Sequence, residues 1–490
     1  MPDAVPDPAA PLDAKLPPVI GPILFARGSG EEACRLAALA VVPSWNRPPP
    51  LVAEGGEVAP ARLAELFGWT AWGYDFALPA RPDASYEFAG RCFPVRTDLS
   101  GDVALAFVSC NGQETGDEAR QAESRNLMWR RLQGEHERRP FALLLHGGDQ
   151  LYADEALDSH PEVARWAKLP PRRRPGIRWT PEMEEAVRRW FAARYLTLLA
   201  EPAMAALLSQ VPSLMMWDDH DIMDGWGSHP SGVQESPVGE GIFRIAREMF
   251  ALFQQGVAPD AVPPLAPDPA GVSLTLGAAF PGFRVVAPDL RSERTQTRVM
   301  GPNGWQSFER LLRTVREGER VLVVSSVPAL GPRLSLLERI LDRLLGTQRH
   351  EDDLRDQWQS FAHRLEWQRF LSCLAKLATA RGAAVTALSG EIHLAARGTM
   401  PLGPGGVLHQ LVASGISHPA PSRFYARALG GLARLGHRPL KDMPIRMHPL
   451  PGRRGLYAAE RNYLVLTREA GRWTAEWELE AGGRTPPLTI

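Results

Sequence analysis

Long apolar runs recur along the chain from about residue 101, separated by amphipathic stretches. The runs with the length and continuity of buried strands are 103–110, 141–146, 211–216, 320–326 and 383–389, with a weaker one at 408–414. Near-continuous apolar strands separated by helices are typical of sheets that are covered on their outer faces. The pattern therefore predicts an α/β core.

Two of the intervening segments have clear helical spacing. Thr180 is a predicted N-cap before Pro181, and the apolar side chains that follow on one face are Met183, Val187, Trp190 and Phe191. A longer helix is predicted at about 354–380, and Gly382 ends it. The side chains that this helix is expected to bury are Trp358, Phe361, Leu365, Phe370, Leu374 and Leu377.

The pattern before and after the core predicts further segments. Residues 1–18 are rich in Pro and Asp and are expected to form a disordered tail. Residues 19–100 contain short strand-like runs punctuated by Gly and Pro, which predicts a small β-sandwich-like accessory domain. Residues 101–430 form the predicted catalytic domain, and 431–490 are a predicted extension whose strands pack on the core.

Polar side chains of metal-binding types follow the predicted core strands. The strand ends carry Ser109-Cys110-Asn111, Gly147-Gly-Asp-Gln-Leu-Tyr-Ala-Asp-Glu155, Trp217-Asp-Asp-His-Asp221, Gly390-Glu-Ile-His393 and Ser414-Gly-Ile-Ser-His418. Because ligand sites of open α/β sheets form at the carboxyl ends of strands, these segments are expected to converge. They predict one metal site built from discontinuous segments.

The segment 217–224 carries the densest set of acids, with four aspartates around His220. Unpaired buried carboxylates are costly, so a cation is expected there, although a solvated acidic loop is the alternative. Oxygen donors and imidazole suit Zn, Fe and Mn, and the short Cys and His spacing of a structural zinc site is absent. The number of acids indicates more than one ion, as in two-metal phosphoryl-transfer sites.

Several of these side chains have simpler interpretations. Cys110 alone is typical of a small packed hydrophobe, and Tyr152 of a core aromatic. His146 is better explained as a core residue or as a support behind the ligands, and both interpretations of His418 stay open. The strand-end positions favour a metal-binding role for Cys110 and Tyr152.

Composition adds limits on function. The chain has 490 residues, 44% apolar and 23% charged, which is typical of a globular protein of one to three domains. A net charge of −1 gives no support for binding nucleic acid or an acidic membrane. Four scattered cysteines, no long apolar span, and an N-terminus without secretory or twin-Arg features predict a cytoplasmic location.

Taken together, the motifs resemble the alkaline phosphatase D-like branch of the calcineurin-like metallophosphatases. The resemblance rests on His146-Gly-Gly-Asp-Gln-Leu-Tyr-Ala-Asp154, Trp217-Asp-Asp-His-Asp221, Asp224-Gly-Trp-Gly-Ser228, Gly390-Glu-Ile-His393 and the Ser109-Cys110 strand end. It covers roughly residues 100–425. It implies a four-layered α/β/β/α sandwich with a di- or multinuclear metal site.

The resemblance also implies roles for individual residues. A ferric ion would be bound by Cys110, Asp149 and Tyr152, with calcium alongside and zinc or manganese as alternatives. Asp149 would bridge to the second metal. The other predicted ligands are Asp219, Asp224, Glu391 and His393. His220 matches the catalytic histidine. Asp218 and Asp221 are expected to support the ligands from behind or to cap a helix.

The implied reaction is hydrolysis of a small phosphomonoester or phosphodiester. A metal-bound hydroxide would attack phosphorus, and His220 would protonate or hydrogen-bond the leaving oxygen. Arg291 and Arg294 follow the apolar run 283–287, and they are predicted to grip the substrate phosphate. The alternative for these arginines is a salt bridge with Asp289 or Glu293.

The sequence departs from the family pattern at Glu391, where the family usually has Asp. A longer side chain can still bind metal, but it can alter metal spacing or preference. Two alternative functions stay open on this basis. One is a degenerate metallophosphatase fold kept as a binding protein, and the other is a metal-dependent hydrolase of another ester.

Overall fold

The computed structural model describes residues 12, 16–112, 120–332, 357–403 and 405–490. Within these ranges the chain has a mixed α/β fold with three sheets. The strands are β1 (Ile20–Ser29), β2 (Ala33–Pro43), β3 (Leu51–Ala53), β4 (Gly56–Val58), β5 (Ala61–Leu66), β6 (Trp69–Pro79), β7 (Ser85–Phe88), β8 (Arg91–Pro94), β9 (Val103–Val108), β10 (Leu143–Gly147), β11 (Ser213–Met216), β12 (Leu276–Phe280), β13 (Phe283–Ala287), β14 (Arg320–Val324), β15 (Ala384–Ser389), β16 (Ala395–Pro401), β17 (Val407–Val412), β18 (His437–Leu440), β19 (Met443–His448), β20 (Tyr457–Ala458), β21 (Asn462–Glu469), β22 (Arg472–Leu479), β23 (Gly483–Arg484) and β24 (Leu488–Thr489).

Helices lie between the strands of the α/β core. They are α1 (Ala122–Arg125), α2 (Leu127–Arg138), α3 (Pro161–Lys168), α4 (Pro181–Leu199), α5 (Pro202–Leu208), α6 (Ser231–Gln234), α7 (Pro237–Gln255), α8 (Pro302–Arg313), α9 (Arg364–Arg381) and α10 (Arg423–Ala433). None of the described helices is, by itself, long and apolar enough to cross a membrane. The bent pair α4 and α5 passes that test together, by length and composition only.

Two large sheets carry the predicted strand ends. The first has the order β23-β22-β21-β9-β10-β11-β1-β2-β6-β5, and the second has the order β12-β13-β14-β15-β17-β16-β19-β18. The strands β9, β10 and β11 are parallel, and so are β13, β14, β15 and β17. Their carboxyl ends therefore open toward one edge in each sheet, where ligands are expected.

Alternating side chains divide the core into layers. One apolar cluster joins the facing sides of the two large sheets and includes Leu105, Leu145, Leu322, Leu388 and Leu411. A second cluster packs α2, α4, α5 and α7 on the first sheet, and a third packs α8 and α9 on the second sheet. Burying each Leu or Val side chain contributes about 1.5–3 kcal/mol, so these layers fix the positions of the strand ends.

The predicted helix at 354–380 is only partly correct. Residues 354–356 lie outside the described ranges, and α9 begins at Arg364 after a turn. Phe361 and Leu365 are 68% and 81% exposed, so the prediction that they are buried is wrong. The helical spacing does not extend to Phe361 because the turn precedes the helix. Gly382 ends the helix in the left-handed conformation, as predicted.

Strands from all three predicted domains share the first large sheet. The N-terminal strand β1 runs parallel to β11 of the core, and β21 of the C-terminal segment runs antiparallel to β9. The smaller sheet β4-β3-β7-β8 packs on β1, β2 and β6 through an apolar cluster of its own. The boundary proposed at residue 430 falls inside α10. Of the predicted tail, residues 1–11 and 13–15 lie outside the described ranges. The division into domains stays a prediction.

Candidate metal centre

Backbone hydrogen bonds join the loops that follow the parallel strands. The amide of Cys110 donates to the Gly148 carbonyl at 3.1 Å, and the amide of His418 donates to the Cys110 carbonyl at 3.2 Å. The amide of Ala153 donates to the carbonyl of His220 at 2.8 Å. Residues far apart in the sequence are therefore held against one another before any side chain is considered.

Four predicted ligands have left-handed backbone conformations. The φ angles are 53° at Cys110, 54° at Asp149, 64° at Glu391 and 52° at His393. Such conformations cost non-glycine residues roughly 1–3 kcal/mol and cluster at functional sites. Of the eight described non-glycine residues with positive φ, these four lie at the carboxyl ends of core strands, where the backbone directs their side chains.

The first group of converging ligand atoms comes from Cys110, Asp149 and His393. One donor atom from each lies within 4.8 Å of the others. The sulfur of Cys110 is 3.4 Å from Oδ2 of Asp149, and the Tyr152 hydroxyl is 3.0 Å from Nε2 of His393. The structure thus brings the three predicted iron ligands together and adds His393 to them.

Two further groups of possible ligand atoms adjoin the first, because the groups have aspartates in common. Donor atoms of Asp149, Asp218 and Asp219 lie within 4.8 Å of one another, as do those of Asp219, His220 and Asp224. Asp149 therefore belongs to two groups, as a bridging ligand would. The Asp224 side chain is 70% exposed and Nε2 of His220 is 4.0 Å from its Oδ1, so Asp224 lies at the open side of the site.

The acids of this centre fit a cation. Oδ1 of Asp149 is buried and has no hydrogen-bond partner among the described residues. Burial, with the neighbouring Cys110 and Asp218, raises the pKa of Asp149 well above its usual value. An orphaned carboxylate oxygen beside other acids and a thiol is the arrangement that a bound cation stabilises.

His220 is held by an acid that the sequence interpretation gave no role. Its Nδ1 lies 2.8 Å from Oδ2 of Asp154, and its ring stacks on Tyr152 with centroids 4.3 Å apart. Burial opposes the charged imidazole, but the carboxylates of Asp154 and Asp219 outweigh it and raise the pKa of His220 well above its usual value. The only sequence signal for Asp154 was its place at the end of the motif that begins at His146.

The remaining aspartates of 217–224 support the backbone. The carboxylate of Asp221 accepts from the amides of Asp149, Leu151 and Asp218 at 2.9–3.0 Å, and from Gln254 at 2.8 Å. Asp221 therefore ties the end of β10 to the end of β11. Asp218 accepts hydrogen bonds from Arg291 and from the Ser326 hydroxyl.

The structure places Arg291 differently from the prediction. Its side chain has no solvent exposure, and its guanidinium binds Asp218, Asp219 at 3.2 Å and the Trp226 carbonyl at 3.0 Å. It neutralises acids of the centre from inside the protein instead of facing a substrate. Arg294 is 2% exposed and packs against Gly227, where a Cβ atom would overlap its side chain.

Replacing Arg291 with alanine is expected to destabilise the fold by about 3–5 kcal/mol, because two buried carboxylates lose their cationic partner. Urea denaturation of the purified variant measures this. Arg139→Ala is the control, since Arg139 pairs with Glu469 at the surface and its loss costs about 0–1 kcal/mol. Equal stability of the two variants would contradict the assigned role of Arg291.

Glu391 makes a contact that the sequence did not predict. Its two carboxylate oxygens accept from Nε2 of Gln357 at 2.7 and 2.6 Å. It is absent from the three groups of converging donor atoms found among the described residues. Its carboxylate is therefore directed to Gln357, and metal binding by Glu391 stays a prediction that this geometry does not favour.

Histidines outside the predicted ligand set complete the surroundings. His418 stacks on His393 with ring centroids 3.5 Å apart, and on Tyr152 at 5.2 Å. His146 is buried, with Gln150 and Ser213 at 2.9 and 3.1 Å. Burial lowers the pKa of His146 to about 4, so it is a neutral support behind the ligands.

Comparisons with known proteins show the family of this chain and a solved structure with a similar fold. A family model described as PhoD related phosphatase matches residues 107–351, which is half of the chain. The uncharacterized protein YGR266W of Saccharomyces cerevisiae is 23% identical over 349 residues, or 59% of this chain and 49% of that protein. The chain thus spans about half the length of this curated relative.

A solved structure described as "Structure of PhoD" is similar with a TM-score of 0.57 at 12% identity, over 98% of this chain and 90% of that chain. At that identity the likeness shows the fold alone.

Proposed function

The chain belongs to the PhoD-related phosphatase family, and we propose that it is a metal-dependent phosphoesterase acting on small phosphomonoesters, phosphodiesters or both. The observation that supports this most directly is the position of Asp149. It belongs to two groups of converging donor atoms, and it carries a buried oxygen without a hydrogen-bond partner among the described residues. The fold alone would not carry the proposal, because function depends on the site.

The residues divide into two sets of ligands. Cys110, Asp149, Tyr152 and His393 would hold a ferric ion, since thiolate, carboxylate, phenolate and imidazole are donors that iron accepts. Calcium prefers oxygen donors, and Asp149, Asp219 and Asp224 would supply them. When bound, the metals lower the pKa of water and stabilise charge on phosphoryl oxygens.

His220 is the proposed proton donor to the leaving oxygen. Asp154 accepts at Nδ1, which leaves Nε2 to carry the proton toward Asp224 and the open side of the site. The stacked ring of Tyr152 fixes the plane of the imidazole. Against the effect of burial, the carboxylates of Asp154 and Asp219 raise the pKa of His220, which favours the protonated imidazole that a general acid requires.

Two broader features belong to the same proposal. The core would be a four-layered α/β/β/α sandwich, which the three apolar clusters around the two large sheets support. An N-terminal β-rich domain would precede it. The cytoplasmic location stays a prediction.

Metal analysis combined with a substrate panel tests the proposal. Protein purified with iron and calcium is expected to bind more than one metal per chain and to hydrolyse nitrophenyl phosphate or bis-nitrophenyl phosphate. Chelation should reduce the rate at least about tenfold and lower the melting temperature, because a ligand bound only to the native state stabilises it.

Each alternative predicts another result. Less than about one metal per chain, with no hydrolysis, would favour a degenerate binding protein. Full metal content with turnover of carboxylic esters and none of phosphoesters would favour the other hydrolase. Undiminished phosphoester hydrolysis after complete metal removal would contradict the proposed chemistry itself.

A further inference from the structure

Helix α10 is apolar on two opposite faces. The side chains that it buries against the second sheet are Ala426, Leu429 and Ala433. With 3.6 residues per turn, the positions opposite these three are Phe424, Ala428 and Gly431, and all of them are exposed. Phe424 is 80% exposed, and Leu435, in the turn that follows the helix, is 68% exposed. A surface helix normally presents polar side chains to water, so this outward face is atypical.

Three exposed arginines lie along one edge of the outward apolar face. Arg423 and Arg427 are one turn apart, and Arg434 caps the carboxyl end of the same helix. At the pitch of an α-helix these three positions fall within about 40° of one another. We call the combined apolar and basic face the α10 surface, and its members are Arg423, Phe424, Arg427, Ala428, Arg434 and Leu435.

The sequence around the α10 surface contains no acid. The chain has 56 acidic residues in 490, yet none lies among the 50 residues 392–441, which contain five arginines and one lysine. The net charge of −1 for the whole chain therefore conceals a local excess of positive charge. Attraction to an anionic surface depends on such a local excess, because salt screens charges that are more than about 8–10 Å apart.

No acid forms a salt bridge with the arginines of the α10 surface within the described ranges. The exposed arginines of other helices do have such partners. Arg188 of α4 pairs with Glu184 and Glu248, and Arg244 of α7 pairs with the same two acids. The α10 surface therefore keeps its positive charge beside apolar side chains that remain in contact with water.

We propose that the α10 surface docks the protein on an anionic lipid bilayer. Phe424 and Leu435 would enter the boundary between the head groups and the acyl chains, and the arginines would lie level with the lipid phosphates. Helices that combine an apolar stripe with flanking basic side chains bind in the plane of the membrane surface in this way. The inference goes beyond hydrolysis, and it holds for a chain that cleaves no phosphoester.

The side chains of the α10 surface favour lipid over nucleic acid. Proteins that bind single strands stack successive bases on aromatic rings. The exposed rings of α10 are those of Phe424 and Tyr425, adjacent residues that project about 100° apart on a helix, so they form no common stacking platform. Ala428 and Leu435 offer nothing to a base, whereas both lose contact with water in an acyl environment.

Co-sedimentation of the full metal-loaded chain with vesicles, after removal of free metal, tests the docking. The native chain should bind vesicles of equal parts phosphatidylserine and phosphatidylcholine at least about tenfold more tightly than vesicles of phosphatidylcholine alone. Arg427→Gln combined with Arg434→Gln should weaken binding to the anionic vesicles at least about tenfold. Phe424→Gln combined with Leu435→Gln should weaken it at least about tenfold as well. The binding that remains in this second variant should fall more steeply with salt, because charge alone then holds the protein.

Matched variants at other exposed positions separate docking from a general effect of charge or hydrophobicity. Arg172→Gln combined with Arg173→Gln also removes two exposed cations, and Trp45→Gln removes an apolar side chain that is 82% exposed in the loop after β2. Both controls should bind anionic vesicles as the native chain does.

The substituted side chains of α10 are exposed, so both α10 variants should retain the native circular dichroism and melting temperature. Vesicle binding equal to that of the controls in both α10 variants would overturn the proposal. A native chain that ignores anionic vesicles but binds a single-stranded oligonucleotide, with loss of that binding in the arginine variant, would overturn it in favour of nucleic acid.

Discussion

Phosphoesterase activity is expected to fall on the order of a thousandfold when Asp149 is replaced by asparagine, which is about 4 kcal/mol of transition-state stabilisation. Most of the bound metal should be lost with it. Asp149 belongs both to the group with Cys110 and His393 and to the group with Asp218 and Asp219. Asparagine offers one neutral oxygen in place of a charged pair, so it cannot bridge two cations.

In the metal-free protein, the Asp149→Asn substitution should leave the stability of the fold unchanged or increase it. The pKa of Asp149 in the folded chain is raised, chiefly by burial, above that of the unfolded chain. A group of this kind stabilises the fold fully only below its unfolded pKa, and the stabilisation is lost as pH rises toward the folded pKa. At neutral pH, metal-free Asp149→Asn should therefore unfold at an equal or higher denaturant concentration than the metal-free native chain.

Asp158→Asn is the matched control for this experiment. Asp158 is an exposed acid of the same segment that follows β10, so its replacement should leave metal content, activity and stability unchanged. Metal analysis, turnover and urea denaturation on both variants give the three measurements. An Asp149→Asn variant that retains native metal content and turnover would remove the basis for the bridging assignment.

The convergence of several predicted ligands could be anticipated from the sequence because these residues directly follow the core strands. Cys110, Asp149 and His393 each come within a few residues of a buried apolar run, and parallel strands bring such positions to one edge. The local sequence pattern was sufficient to identify these three residues as candidate ligands. The bridging role of Asp149 came from the family resemblance instead, and Asp219 is likewise shared by two groups of donor atoms.

Side-chain contacts between distant segments could not be predicted from the local sequence pattern. Arg291 reaches Asp218 across 73 residues, Gln357 reaches Glu391 across 34, and Asp154 reaches His220 across 66. Each of these contacts depends on how loops pack, which periodicity does not encode. The strand order is a similar case, since nothing in residues 19–100 indicates that β1 lies beside β11.

Replacing His220 with asparagine should reduce turnover by about 10²–10⁴-fold while metal content is preserved. The loss should depend on the substrate. A nitrophenolate leaves as a stable anion and needs little proton donation, whereas an alkoxide needs a full proton. The reduction is therefore expected to be much larger for alkyl phosphoesters than for nitrophenyl phosphoesters. His160→Asn is the control, because asparagine can still cap α3 where His160 now accepts from the Glu162 amide.

Asp154→Asn should act through His220 and show a distinct pH profile. The carboxylate of Asp154 lies 2.8 Å from Nδ1 and is among the charges that raise the pKa of the imidazole. An amide keeps a hydrogen bond but removes the charge, so the pKa of His220 should fall. The rate of a reaction that needs protonated His220 declines as pH rises through that pKa, so the decline should begin at lower pH in the variant. Equal losses for aryl and alkyl substrates in His220→Asn, with an unshifted profile in Asp154→Asn, would assign proton donation to another group.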